Sequence, residues 1–441
     1  MASVRPFAGI RYNRANGDIT PLTAPPYDVV SQRQRDAFLA RDAHNVVALE
    51  LPAGPPDPAL ANNRYSTGTA TWTAWRSDGT LTPDELPAIY VLEQRFAHHG
   101  EPVRRRAFIA EVGLEPFEAG VILPHERTLP KALGDRFELI KATGANLSQV
   151  FGLYDDAEGV TDALFDIATA EEPIAEASDA DGVVSVLWAV TDPAFAARLA
   201  TIFAEKNVFI ADGHHRYTTA LAYRDLRHEL ASSADQAPAD PAYDFIMMAL
   251  VSMDDPELVV MPTHRVATSE GPFDPIAFYE GLSRFFAFTN PPAEKPWRAL
   301  EVTDAPACLV MTKADEEPRL ASLRSDIDID SALPLDRSSA WKHLDVAVLQ
   351  ELVLDPLLGI HPDRPATLDR LGFVKGAEDA LANVGEHDVA FVLRPTRMSQ
   401  LRAVALAGET MPQKSTYFYP KLLSGLVFRD ADQIQEVAIE R

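Results

Sequence analysis

Val208-Phe209-Ile210-Ala211-Asp212-Gly213-His214-His215-Arg216-Tyr217 reads, in order, as a short apolar strand, a glycine turn and the start of a helix whose pattern runs from Tyr217 to Leu230. That succession makes an anion site. A helix N-terminus offers unpaired backbone N–H groups and a partial positive charge, and Gly213 lets an anion approach the backbone closely. Arg216 adds a planar two-pronged guanidinium, which matches phosphate geometry better than a point charge does. The alternative is a tight turn in which Asp212 caps the helix and His214 and His215 lie on the surface. The dense His-His-Arg cluster favours the functional reading.

Outward from this turn, Ile89 to Phe96 and Arg105 to Val112 predict a β-hairpin around His98-His99-Gly100. Further strands are expected at Val150–Leu153, Val183–Val190, Phe245–Met253, Leu258–Met261, Ala307–Thr312 and Val389–Leu393. Helices are expected from Ser31 to Arg41, Asn63 to Ser77, Pro193 to Glu205, Pro275 to Phe286 and Val346 to Leu358. Strands and helices mix without a regular βαβ beat, so the expected fold class is α+β with mixed sheets rather than a doubly wound sheet.

The 441-residue chain is long enough for more than one domain. Its apolar share is 46% and its charged share 24%, which suits an ordinary globular protein. The net charge of −25 repels a polyanion, so nucleic acid is not an expected partner. A locally basic pocket for a small anion is compatible with that charge. The single cysteine, Cys308, lies in an apolar stretch and reads as a small buried hydrophobe, so neither a disulfide nor a Cys-rich zinc site is expected. The start lacks the apolar core of a signal peptide, and the longest apolar run is too short to span a membrane. The chain reads as cytoplasmic.

P-loop, Gly-x-Gly-x-x-Gly, protein-kinase and His-Glu-x-x-His patterns are all missing. A second candidate constellation is Leu123-Pro124-His125-Glu126-Arg127-Thr128. An unperturbed Glu titrates near ~4.3, so Glu126 is ionised at neutral pH and can accept a proton, with Arg127 to hold that state or to bind phosphate. The alternative is a proline-started loop with an exposed ion pair. Lys141 to Asn146 reads either as a binding loop or as a helix C-cap at Gly144. In Met411 to Lys421, lysines, hydroxyls and aromatics share a Pro-bounded loop, with Lys414 a candidate for phosphate. Its alternative role is an aromatic anchor for the tail. Pro262-Thr263-His264-Arg265 reads as a strand exit.

Ala24-Pro25-Pro26-Tyr27-Asp28-Val29, Leu123 to Thr128, Ala211 to Tyr217 and Met411 to Leu423 together resemble a large prokaryotic family known only as a domain of unknown function. The Pro-His-Glu and Asp-Gly-His-His-Arg pair also resembles the ParB/sulfiredoxin-like superfamily, in particular its free-serine kinases. That resemblance implies a nucleotide-binding core within 86–270, with an N-terminal α+β segment, 1–85, and a C-terminal α+β domain, 271–441. It implies a kinase transferring a phosphoryl group from ATP or ADP, with Mg²⁺, to a small hydroxyl compound, free L-serine first. Glu126 would be the base, with Asp212 and His125 beside it in the catalytic set. Gly213, His214, His215, Arg216, Arg127 and Lys414 would bind the nucleotide. Asp212 would cap the helix or help place the metal. The interval from Glu126 to Asp212 is longer than in the small kinases and implies an insertion, 155–181, that folds out of the way. Where sulfiredoxin-like chemistry needs a cysteine, this chain has His214, so thiol chemistry is excluded there. A nucleotide-driven regulatory switch that phosphorylates no metabolite is the alternative function.

Overall fold

The computed structural model describes residues 1–13, 17–126, 130–233, 240–362, 364–382 and 384–432. The chain mixes α and β and divides into two compact units. One holds Met1–Pro124, 128–258 and the chain from Pro420; the other holds His125, Glu126 and Val259–Tyr419. Among the described residues no helix is long and apolar enough to cross a membrane.

The first unit is built on a mixed nine-stranded sheet. From one edge the strands run Ile122–Leu123, Val208–Asp212, Val150–Tyr154, Phe245–Ser252, Glu101–Gly113, Ile89–His98, Val184–Val190 and Ala175–Ser178, with Val4–Arg5 paired beside Glu101–Gly113. The predicted hairpin is present. Its tip, His99-Gly100, has positive φ at both residues (54° and 88°), and His98 pairs with Glu101. Two positive φ values are what a two-residue turn needs if its twist is to match the strands. Val91, Phe108, Ile210 and Leu250 lie in the buried core of this unit. Phe165 stacks on Phe108 with ring centroids 4.0 Å apart.

The stretch 155–181, expected as an insertion, forms a helix, Asp162–Thr169, and the strand Ala175–Ser178, which sits at the edge of the sheet remote from Val208–Asp212. It therefore extends this sheet at its far end, clear of the glycine turn.

The second unit carries a six-stranded antiparallel sheet in the order Phe286–Thr289, Arg319–Leu323, Ala307–Thr312, Asp388–Val392, His264–Thr268, Leu371–Val374. A two-stranded ladder joins Val259–Met261 to Tyr417–Tyr419. Cys308 is buried, and burial pushes its thiol up to about 12.

Pro262-Thr263 leaves the strand Val259–Met261, and His264 then opens a further strand whose partners lie more than a hundred residues onward. Two local readings change here. The helix from Pro275 ends at Leu282, and Phe286 begins a strand. The helix over 346–358 widens into a π turn at Gln350–Leu354 just before Pro356. Proline lacks an N–H and its ring crowds the carbonyl four residues earlier, and the wider turn relieves both.

Candidate functional site

The first unit brings the quoted turn to the C-terminal end of a buried strand. Val208–Asp212 pairs in parallel with Ile122–Leu123 and antiparallel with Val150–Tyr154, with a register shift between Ile210 and Asp212. Gly213 follows with φ +93°. Its carbonyl accepts from Tyr217 N–H at 3.0 Å, which makes Gly213, not Asp212, the residue at the N-cap of the helix His214–Ser233.

Asp212 is occupied otherwise. Lys421 Nζ donates to Asp212 Oδ1 at 2.8 Å and Arg216 Nη2 to Asp212 Oδ2 at 3.0 Å. Burial alone would raise this carboxyl, but Lys421, Arg216 and His214 outweigh it and hold the group well below the usual carboxylate range. Arg216 Nη1 also donates to Ser148 Oγ at 3.1 Å and to the Gln149 carbonyl. Arg216 Nε is buried and makes no hydrogen bond among the described residues. A Cβ placed on Gly213 would stand 2.9 Å from that same Nε, so the guanidinium packs where only glycine leaves room.

Beside Arg216 lies a cavity of about 50 Å³, lined also by Tyr27, Glu50, Arg136, Asn146 and Ser148. The Pro-Pro-Tyr-Asp segment therefore meets the Asp-Gly-His-His-Arg turn at Tyr27. Arg136 lies over the Tyr27 ring at 4.1 Å. Burial pushes the Tyr27 phenol up to about 12, with Arg136 and Arg216 pulling the other way. Gly144, with φ 62°, ends the helix Pro130–Thr143 by accepting the left-handed conformation, so the C-cap reading of Lys141 to Asn146 holds. Ala145 and Asn146 beyond it line the cavity.

The second unit gathers the other expected residues. Met411 N–H donates to the His125 carbonyl at 2.8 Å, and Glu126 bridges Met411. Lys414 N–H donates to Glu126 Oε1 at 3.1 Å, and Lys414 has φ 57°. His125 is buried, with Nε2 2.9 Å from Thr416 Oγ1. Thus Pro-His-Glu and the Met411 loop do meet, through the Lys414 backbone.

Arg265 completes this group. It is buried and donates through Nη2 to the carbonyls of Gln413 and Lys414, both at 3.0 Å. Burial lowers its guanidinium to about 9, while the Glu126 charge opposes that fall. Arg127 lies outside the described residues. His214 is buried and His215 half-buried at the helix start.

Two residues were not singled out beforehand: Lys421, which touches Asp212, and Arg265, which supports the loop around Glu126. Among the described residues no group of three or more His, Cys, Asp or Glu is arranged to hold a metal ion.

Comparison with known proteins gives a family. The profile described as "Protein of unknown function (DUF1015)" matches residues 4–347. No curated protein matches. A conserved hypothetical protein from Pyrococcus furiosus is similar with a TM-score of 0.33 and 13% identity, over 72% of this chain and 92% of its own. SbnI with a C-terminal truncation, from Staphylococcus aureus, is similar at 0.35 and 13%, over 73% and 88%. A free serine kinase mutant in complex with ADP is similar at 0.34 and 9%, over 71% and 87%.

Proposed function

Since the chain belongs to the DUF1015 family, whose description names no activity, we propose a function from its residues: it binds a nucleoside di- or triphosphate by its phosphates at the Asp212–Arg216 turn and transfers a phosphoryl group to a small hydroxyl compound. The observation that carries this reading is the arrangement at Gly213. A positive-φ glycine and a helix N-terminus meet at the end of one strand, beside the Arg216 guanidinium that Ser148, Gln149 and Asp212 hold in place. A phosphate takes such backbone N–H groups and dipole, and the planar fork joins them once the arriving anion re-pairs it.

The cavity of about 50 Å³ has room for a phosphate-sized group only, since whole-ligand pockets span roughly 300–1,000 Å³. In this reading the sugar and base lie outside it. Asp212 does not fit a magnesium ligand as it stands, because Lys421 and Arg216 engage both of its oxygens. Magnesium then arrives with the nucleotide as part of the substrate.

The acceptor proton is assigned to Glu126. Its carboxylate takes the Lys414 N–H, and its charge acts on the buried Arg265 guanidinium. As the acceptor oxygen bonds to the terminal phosphorus, its proton goes to a carboxylate base, the role the sequence resemblance implies for Glu126, and the shortened nucleotide leaves. A positioned base contributes on the order of 10²–10⁴-fold. Free L-serine, indicated by the sequence resemblance, is the first acceptor to try.

The test is incubation with Mg-ATP or Mg-ADP and a pool of hydroxy amino acids, with mass spectrometry for a phosphorylated product. Glu126→Gln is expected to lower turnover by at least about a hundredfold while nucleotide binding survives. Unchanged turnover removes Glu126 from the mechanism.

A regulatory reading has one observation in its favour. Asp212 and Arg216 are already satisfied by protein partners, so an arriving anion would re-pair them, as a ligand-driven switch does. Nucleotide binding with no product from any acceptor supports that reading instead.

A further inference from the structure

Resting on the phosphate reading of the cavity beside Arg216, we propose that Glu50 makes that cavity selective for a phosphate that carries a proton, as the free ion or as the end of a nucleotide, and closes it to sulfate. The first argument is an unanswered carboxylate. Glu50 ends the short helix Val47–Glu50, is 4% exposed and lines the cavity. Among the described residues its carboxylate receives no hydrogen bond. The cation paired with it is Arg136, whose Nη1 stands 3.8 Å from Glu50 Oε2. That Nη1 donates instead to Glu50's own backbone carbonyl at 2.9 Å. Arg136 Nε and Nη2 both donate to Asp135 Oδ2, at 3.1 and 2.6 Å, so the guanidinium is pinned short of the carboxylate. An ionised group taken out of water without hydrogen bonds is costly. An occupant of the cavity with a hydrogen to donate removes that cost.

The second argument is the rest of the lining, which supplies donors. Asn146 Oδ1 accepts from Met247 N–H at 3.1 Å and from Arg429 Nη1 at 3.0 Å, which leaves its amide nitrogen to donate. Ser148 Oγ accepts from Arg216 Nη1 at 3.1 Å, which leaves its own hydrogen to donate. The Tyr27 phenol, pushed up to about 12, keeps its proton, and its hydroxyl makes no hydrogen bond among the described residues. All three line the cavity with Glu50. An occupant must therefore present bare oxygens to several donors and one hydrogen to a carboxylate, which can only accept. A protonated phosphate group does both: its bare oxygens accept, and its P–OH donates to Glu50. It also matches the cavity of about 50 Å³ in size. Sulfate has the same size and shape but is fully ionised at neutral pH, so it offers Glu50 no hydrogen and a like charge.

The experiment is calorimetric titration at about pH 6, near the second ionisation of a phosphate, in EDTA and with thermal melts as fold controls. Wild type and Glu50→Gln each receive inorganic phosphate, sulfate, ADP and adenosine phosphosulfate, which is ADP with sulfate in place of its terminal phosphate. Wild type is expected to prefer phosphate to sulfate, and ADP to its sulfate analogue, by at least about tenfold, the worth of one charge-assisted hydrogen bond. Glutamine keeps the shape of Glu50 but loses its charge and can donate to an oxygen, so in Glu50→Gln both preferences are expected to vanish. Equal affinities within the pairs in wild type overturn the proposal, and that comparison needs no variant to fold. Preferences that survive in Glu50→Gln overturn it as well. Selective binding of ADP without inorganic phosphate supports it with the nucleotide's end as occupant. Selective binding of inorganic phosphate without ADP supports it with the free ion as occupant, and removes the nucleotide from the proposed function. Failure of wild type to bind either one overturns the phosphate reading itself, and this inference with it.

Discussion

Gly213 concentrates the argument at the scale of the residue. Its φ of +93° is one that L side chains rarely adopt, and the space a Cβ needs is filled by Arg216 Nε at 2.9 Å. That guanidinium cannot simply swing away, because Ser148, Gln149 and Asp212 hold its other nitrogens. Gly213→Ala should therefore cost about 1–2 kcal/mol of stability from the strained backbone. It should also weaken ADP at least about tenfold, because the displaced fork no longer meets a phosphate. Urea unfolding and calorimetry on the same sample check both. Full stability with full affinity would show that neither the conformation nor the packing matters. Asp212 to Arg216 were legible in the sequence because the strand, the turn and the helix start are contiguous and their chemistry is local. Lys421 closed a noted loop, Met411 to Lys421, but its partner was not legible, because it reaches Asp212 across 209 residues and no local pattern records which distant backbone turns a lysine inward. Arg265 stood within a noted stretch, yet its role depends on two carbonyls about 150 residues away.

At the scale of the element, the plainest signals in the sequence are those whose stabilising contacts are short-range. The hairpin from Ile89 to Gly113 declares itself by alternation and by a glycine at the turn. The helix Gln32–Arg41 declares itself by a capping box, Ser31 N–H to Gln34 Oε1 at 2.9 Å and Gln34 N–H back to Ser31 Oγ at 3.3 Å. The failures share the opposite property. Phe286–Thr289 is a strand only because Arg319–Leu323 pairs with it, and His264–Thr268 because Asp388–Val392 does. The hairpin tip permits a clean test of element stability apart from function. Nothing lies within 4 Å of a Cβ added at Gly100, whose φ is +88°, so Gly100→Ala is penalised by backbone strain alone, about 1 kcal/mol. The variant should melt earlier and bind ADP as wild type does. A loss of affinity equal to that of Gly213→Ala would mean that the tip also serves the ligand.

For the whole molecule, the unit that carries Glu126 holds a buried histidine that couples its folding to pH. His264 is 2% exposed, and its Nδ1 accepts a hydrogen bond from Leu393 N–H at 3.2 Å. A ring that accepts at Nδ1 must carry its proton on Nε2 and stay neutral. Burial, and then the neighbouring Arg265 charge, lower the group to about 4 from the ordinary 6.5. The unfolded chain therefore takes up a proton below about pH 6.5 that the folded chain refuses until about pH 4. Stability from this group is full above 6.5 and is lost as pH falls through that window. At pH 5 the difference amounts to about 2 kcal/mol. Other groups titrate over the same range in a chain of net charge −25, so the quantity to measure is a comparison between variants. Urea unfolding of wild type and His264→Gln at pH 7 and pH 5 isolates it. Glutamine can still accept the Leu393 N–H but has no charge to gain, so wild type should lose about 2 kcal/mol more than the variant between the two pH values. Equal losses would mean that His264 protonates in place, with the Leu393 hydrogen bond replaced at no cost.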